Sequence, residues 1–189
     1  MDDTRSPRAR LLDTAAELFY RHGIGAVGVD LVSRAAGVSK RTLYQQFGSK
    51  DRLVAESLDA RGPAIIGQYV PAEDEHSPPR AAILAVFSAL QEWVSSASFR
   101  GCPFLNAATE LADPAHPARQ VARGYKLRLR EYFRDRAETG GASDPQRLAD
   151  QLMILFDGAV AQAVQQTTTD ATAARSAAEI LLTAHSIGE

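Results

Sequence analysis

The 189-residue chain has little of what staples or anchors a protein. Its one cysteine, Cys102, can form no internal disulfide, which suits a reducing compartment. No basic stretch followed by an apolar run opens it, and the apolar run from Ala81 to Phe87 falls far short of the ~18 residues of a membrane span. A cytoplasmic protein without a membrane partner is therefore expected. The four histidines, His22, His76, His116 and His185, are scattered without the close spacing of metal ligands, so neither a metal nor a cofactor is expected.

Apolar residues make up 45% of the chain, enough for a full core in one or two compact domains. The net charge of −2 is unevenly placed. Residues 1–50 carry eight Lys or Arg against five acids, a local +3 that leaves −5 for the remainder. A basic head can attract phosphate while an acidic body discourages indiscriminate coating of DNA, so this asymmetry favours a site-specific regulator over a packaging protein.

What is present is helical periodicity. Ser6-Pro7 reads as an N-cap followed by proline at the first helical position, and Leu11, Ala15, Leu18 and Phe19 then form one stripe that Gly23 ends. The residues from Gly23 to Gly28 spell G-x-G-x-x-G, yet a helix precedes them and no strand-like segment lies nearby, so a dinucleotide loop is rejected. Val29, Val32 and Ala36 pattern a short helix that Gly37 ends. Ser39 can cap the next helix, in which Leu43 and Phe47 point inward and Lys40, Arg41, Thr42, Tyr44, Gln45 and Gln46 lie on the other faces. Two short helices joined by a glycine-containing turn make a helix-turn-helix. The outward residues are suited to DNA: arginine or lysine bonds guanine edges, glutamine bonds adenine, threonine touches a thymine methyl, and tyrosine or lysine bonds phosphate.

The segment Ala36-Gly37-Val38-Ser39-Lys40-Arg41-Thr42-Leu43-Tyr44, with Phe47, Ser49-Lys50-Asp51 and Leu53, resembles the tetracycline-repressor (TetR) family of bacterial transcription regulators, and the likeness extends back to about Pro7. It implies an all-α fold: a three-helix helix-turn-helix DNA-binding domain over 1–54, then a helical effector-binding and dimerisation domain over 55–189. It also implies a homodimer on palindromic operator DNA, most simply a repressor released by a small hydrophobic effector; an activator or an effector-independent regulator is the alternative. DNA contacts are expected from Ser39, Lys40, Arg41, Thr42, Tyr44, Gln45, Gln46 and Lys50. Two departures from the family pattern stand out. Val27-Gly28 replaces the usual hydroxyl pair, and Arg41 replaces a frequent glycine, adding a long bidentate donor where bases can be reached.

In the rest of the chain, Ser49 can cap a fourth helix running past Leu53, Val54 and Leu58 towards Val70, with Gly62-Pro63 bending it. The acidic, proline-rich 71–79 stretch reads as a loop. Helices are then expected over about 80–97, from Cys102 to near Asp113-Pro114, over Pro117 to Thr139, and from Pro145 through Val164, with a last one beyond the polar 165–169 turn. The Gly-Cys-Pro-Phe-Leu-Asn segment resembles one in the ligand-binding half of some TetR proteins. Phe87, Trp93, Phe104, Tyr125 and Phe156 can wall an apolar pocket in which Asn106, Cys102 and the Tyr125 hydroxyl orient a ligand, although such residues are more often plain core. Leu152, Phe156, Ala159, Val160 and Ala163 with Ala174, Ala177, Ala178, Leu181 and Leu182 are the expected dimer interface, packed as a four-helix bundle; an internal core hairpin is the alternative. The cationic series Arg119, Arg123, Lys126, Arg128, Arg130, Arg134 and Arg136 reads as a solvated face rather than a second nucleic-acid site. An enzyme is not expected: a Cys102 nucleophile needs a base such as His116 folded onto it, and nothing in the spacing requires that.

Overall fold

The computed structural model describes residues 5–70, 77–165 and 170–188. Nine helices and no strand occur among the described residues: α1 (Pro7–His22), α2 (Val29–Ala35), α3 (Lys40–Phe47), α4 (Lys50–Ile66), α5 (Pro79–Val94), α6 (Pro103–Glu110), α7 (Pro117–Thr139), α8 (Pro145–Val164) and α9 (Thr172–Ala184). The all-α reading stands. Five of these helices begin at a proline, which loses no hydrogen bond at the first helical position. Ser6 Oγ accepts the Ala9 N–H at 3.2 Å, and Ser49 Oγ accepts the Arg52 N–H at 3.1 Å, so both expected caps form. Differences fall at helix ends. α4 carries Pro63 inside it and stops at Ile66 rather than near Val70, and α5 stops at Val94, three residues before Ala97. Most of the expected 71–79 loop and of the 165–169 turn lies outside the described residues.

The chain divides into two compact units. The first comprises Met1–Pro63 and Cys102–Gly124, the second Ala64–Gly101 and Tyr125–Glu189. This division does not coincide with a boundary between 54 and 55, because α6 and the start of α7 cluster with the head. In the first unit α1 packs on α2 and α3. Leu11, Ala15 and Phe19 of α1 are buried together with Val27, Val32, Leu43, Phe47 and Leu53. Burying such side chains contributes about 1.5–3 kcal/mol each, which fixes α3 by its inner face and leaves its outer one in water.

In the second unit α5, α8 and α9 pack on one another. Ile83, Val86, Phe87 and Leu90 of α5, Leu148, Leu152, Phe156 and Val160 of α8, and Ala178 and Leu182 of α9 are fully buried. Arg80 ties the layers at their end, donating to the Ile187 carbonyl at 3.0 Å and to the Glu179 carbonyl at 3.4 Å.

Candidate nucleic-acid interface

α2 and α3 are joined by Gly37 at φ 62°, the left-handed conformation that an L side chain rarely adopts. Val38 follows half-buried, and Ser39 starts α3 with its hydroxyl accepting the Thr42 N–H at 3.0 Å. The same hydroxyl lies 2.8 Å from Thr42 Oγ1, so Thr42 is turned back on the cap and half-buried. Leu43 and Phe47 are at 0% and 2% exposure, which orients the helix about its own axis. Lys40, Arg41, Tyr44, Gln45 and Gln46 are exposed.

Electrostatics sharpen this face. Lys40 Nζ lies 2.9 Å from Asp30 Oδ1 of α2, and the hydrogen bond and charge of Asp30 raise the ammonium pKa above its ordinary value. The ammonium therefore stays charged and is held at the start of α3. Asp30, which the sequence pattern does not single out, thus orients an expected DNA contact. Lys50 sits differently from a free phosphate arm. Its Nζ donates to the Ile24 carbonyl at 2.7 Å and is half-buried. Among the N-terminal arginines, Arg5 pairs with Asp13, while Arg8 pairs with Glu56 and lies 5.2 Å over the Phe47 ring. Both brace α1.

A short exposed helix with a basic start, one buried edge and a capped glycine turn can enter a major groove about 12 Å wide. Residues 11–57 match the family description of bacterial regulatory proteins of the tetR family, and residues 79–181 match that of the tetracyclin repressor-like C-terminal domain. The chain belongs to the TetR family of DNA-binding transcriptional regulators. A solved TetR-type regulator of Streptomyces avermitilis is similar at 43% identity with a TM-score of 0.93, covering 97% of this chain and 100% of that one. A second, from Streptomyces coelicolor, shows 32% identity and a TM-score of 0.85 over 95% and 96% of the two chains. The transcriptional repressor KstR2 of Rhodococcus jostii is 38% identical over 71 residues, 36% of this chain and 35% of its own.

The residues expected to line a TetR effector pocket fall in both units. Cys102, Phe104 and Asn106 belong to the first, the first two buried and Asn106 half-buried. Phe87, Trp93, Tyr125 and Phe156 belong to the second. There Tyr69 joins two of them: its ring centroid is 5.5 Å from that of Trp93 and 4.9 Å from that of Phe156, and Phe99 stands edge-on to Trp93 at 5.2 Å. No motif in the sequence singles out Tyr69, which lies just beyond the end of α4 at Ile66. His116 does not serve Cys102. Its Nε2 lies 3.3 Å from Asp51 Oδ1 and its Nδ1 accepts the Ala118 N–H at 3.1 Å, so both nitrogens are engaged elsewhere.

The expected interface set needs correction. Leu152, Phe156, Val160, Ala178 and Leu182 are at 0% exposure and Ala163 at 8%, so the chain's own core holds them, as in an internal hairpin. Ala159, Ala174, Ala177 and Leu181 are half-buried. The large apolar side chains that α8 and α9 leave in water are Ile154, Val164 and Ile180. The broad apolar arc of α8 therefore has two parts, an inner one in the chain's own core and an outer one that bears Ile154 and Val164.

The cations of α7 are largely spoken for. Lys126 pairs with Asp157, Arg130 with Asp150 at 2.5 Å, and Arg134 with Asp135 at 2.7 Å. Hydrogen bonding from Arg130 holds the Asp150 carboxyl below the usual carboxylate range. Arg128 and Arg136 lie over the Tyr125 and Tyr132 rings at 4.7 and 5.5 Å, and Arg119 donates to the Leu111 carbonyl at 2.9 Å.

Proposed function

We propose that this TetR-family regulator is a homodimeric repressor that reads a palindromic operator through α3 of each protomer and leaves it when a small hydrophobic effector binds. The observation that carries the reading is the division of α3: Leu43 and Phe47 are buried, while Lys40, Arg41, Tyr44, Gln45 and Gln46 face solvent. Arg41 is the sequence-choosing donor, with Gln45 and Gln46 as further base contacts and Tyr44 at phosphate. Ser39, Thr42 and Lys50 serve mainly to set the helix, through its cap and through the Ile24 carbonyl.

Repression is favoured by the name of the Rhodococcus relative, which matches 71 residues of this chain. Dimerisation is supported by the face bearing Ile154, Gly158 and Ala161 on α8 and Ile180 and Ala184 on α9. Its small residues let helices approach closely, and its two isoleucines are at 71% and 70% exposure. Two heads then meet half-sites about one helical turn or a multiple apart, 34–36 Å per turn. The aromatic group Tyr69, Trp93, Phe99 and Phe156 is the kind of surface that takes an apolar effector. An effector that binds the form with misplaced heads more tightly lowers operator affinity by that difference.

Selection of bound duplexes from a random DNA pool by the full chain tests the reading. A symmetric consensus supports it. Recovery of asymmetric single sites by a monomer contradicts the dimer, and recovery of no consensus contradicts the operator.

A further inference from the structure

The glycine-rich turn between α1 and α2, which spells a dinucleotide motif without being one, receives a carboxylate from 86 residues along the chain. Glu110 ends α6, and its Oε2 accepts the Ile24 N–H at 2.6 Å and the Gly25 N–H at 3.4 Å. At the other end of Ile24, its carbonyl accepts from Lys50 Nζ at 2.7 Å. Ile24 is thus gripped at both its N–H and its C=O by two charged side chains, one from α6 and one from the first residue of α4. Charge-assisted bonds of this kind are about twice as strong as neutral ones.

Gly23 shows that the turn is shaped for this carboxylate. Its φ of 88° and ψ of 150° lie in a region open essentially to glycine alone. A Cβ there would stand 3.1 Å from Glu110 Oε2, closer than ordinary packing. A second tie runs parallel to the first. The His116 Nδ1 accepts the Ala118 N–H at 3.1 Å, and its Nε2 lies 3.3 Å from Asp51 Oδ1 in the first turn of α4. Both Glu110 and His116 lie in the stretch that matches the family's C-terminal domain, yet both end on the DNA-binding head.

We infer that Glu110 is a positioning residue for DNA binding: with Lys50 it fixes the Ile24 peptide, and so sets where α2 and α3 stand on α1. A displacement of α6 would be felt at α3 through this clamp. Its use by an effector rests on the function proposed above, whereas the clamp itself does not.

The test compares the full-length wild-type chain with Glu110→Ala, Glu110→Gln and Lys50→Met, using amide hydrogen exchange and affinity for a duplex selected by the wild type. Glu110→Ala should deprotect the Ile24 and Gly25 amides and weaken duplex binding about tenfold, the loss of one charge-assisted bond. Glu110→Gln, whose amide oxygen still accepts, should retain most of both, a rescue that general loss of fold would not give. Unchanged Ile24 protection in Glu110→Ala overturns the clamp, as does equal weakness of the Gln and Ala variants. Lost protection with unchanged affinity overturns the positioning role. Lys50→Met releases the other end of Ile24 and should shift affinity the same way, which keeps the question open to experiment if Glu110→Ala does not fold. A wild type that selects no duplex defeats the proposed function, and the exchange arm still decides the clamp.

Discussion

Arg41 and Gly23 show opposite kinds of constraint on a single residue. Arg41 is exposed at the second position of α3, so its replacement disturbs no core. A bidentate contact to a base edge is worth about 1–3 kcal/mol of discrimination. Arg41→Ala should therefore relax preference at one base position per half-site while leaving thermal stability unchanged, which competition binding with single-base variants would show. Gly23 has no side chain to lose, but its backbone admits almost nothing else. Gly23→Ala should destabilise the chain by about 1–3 kcal/mol, the cost of a strained conformation, and push against Glu110 as well. Urea unfolding measures this directly, and an unchanged midpoint would contradict it. Arg41 was legible in the sequence because its importance is local. The partner of the Gly23 turn was not, because no spacing rule connects Ile24 with Glu110 across 86 positions.

At the scale of the element, the chain announces where helices begin better than where they end. Prolines near the first positions of α1, α6, α7 and α8 and the serine caps of α1, α3 and α4 marked the starts, whereas Pro79, read as the end of a loop, opens α5. α4 carries Pro63 inside it, as its expected course past that residue requires, but it stops at Ile66, short of Val70. The cap of α3 matters most for function because α3 has only eight residues. Ser39→Ala removes the acceptor for the Thr42 N–H and should cost about 0.5–2 kcal/mol of stability. Ser39→Asp should restore it, since aspartate caps as well, and the pair of denaturation curves separates capping from mere side-chain loss. On α7, the arginines and Lys126 read as solvated from sequence, and the ion pairs with Asp157 and Asp150 of α8 show two of the seven cations, Lys126 and Arg130, anchoring one helix to the next.

For the whole molecule, the helical content and the presence of a DNA-reading head followed from pattern, while the partition of the α8 and α9 surfaces did not. Leu152, Phe156 and Val160 have the right spacing for a seam, but spacing does not say whether the seam is within a chain or between chains. Burial does. Ile154 and Ile180 lie mostly in water, so changing them should cost the single chain little, within about 0.5 kcal/mol for an ordinary surface site. The double variant Ile154→Lys with Ile180→Lys should therefore keep its fold by circular dichroism and sediment as a monomer. A variant that sediments like the wild type would remove this face from the proposed interface.

In the proposed function α3 reads base edges and its twin in a second protomer does so nearby. Sequence selection from a random duplex pool, run side by side with the wild type and Arg41→Ala, tests it most directly. A two-fold symmetric consensus is expected for the wild type, and loss of preference at one symmetric pair of positions for the variant. An identical consensus from both proteins, or none from either, would contradict it.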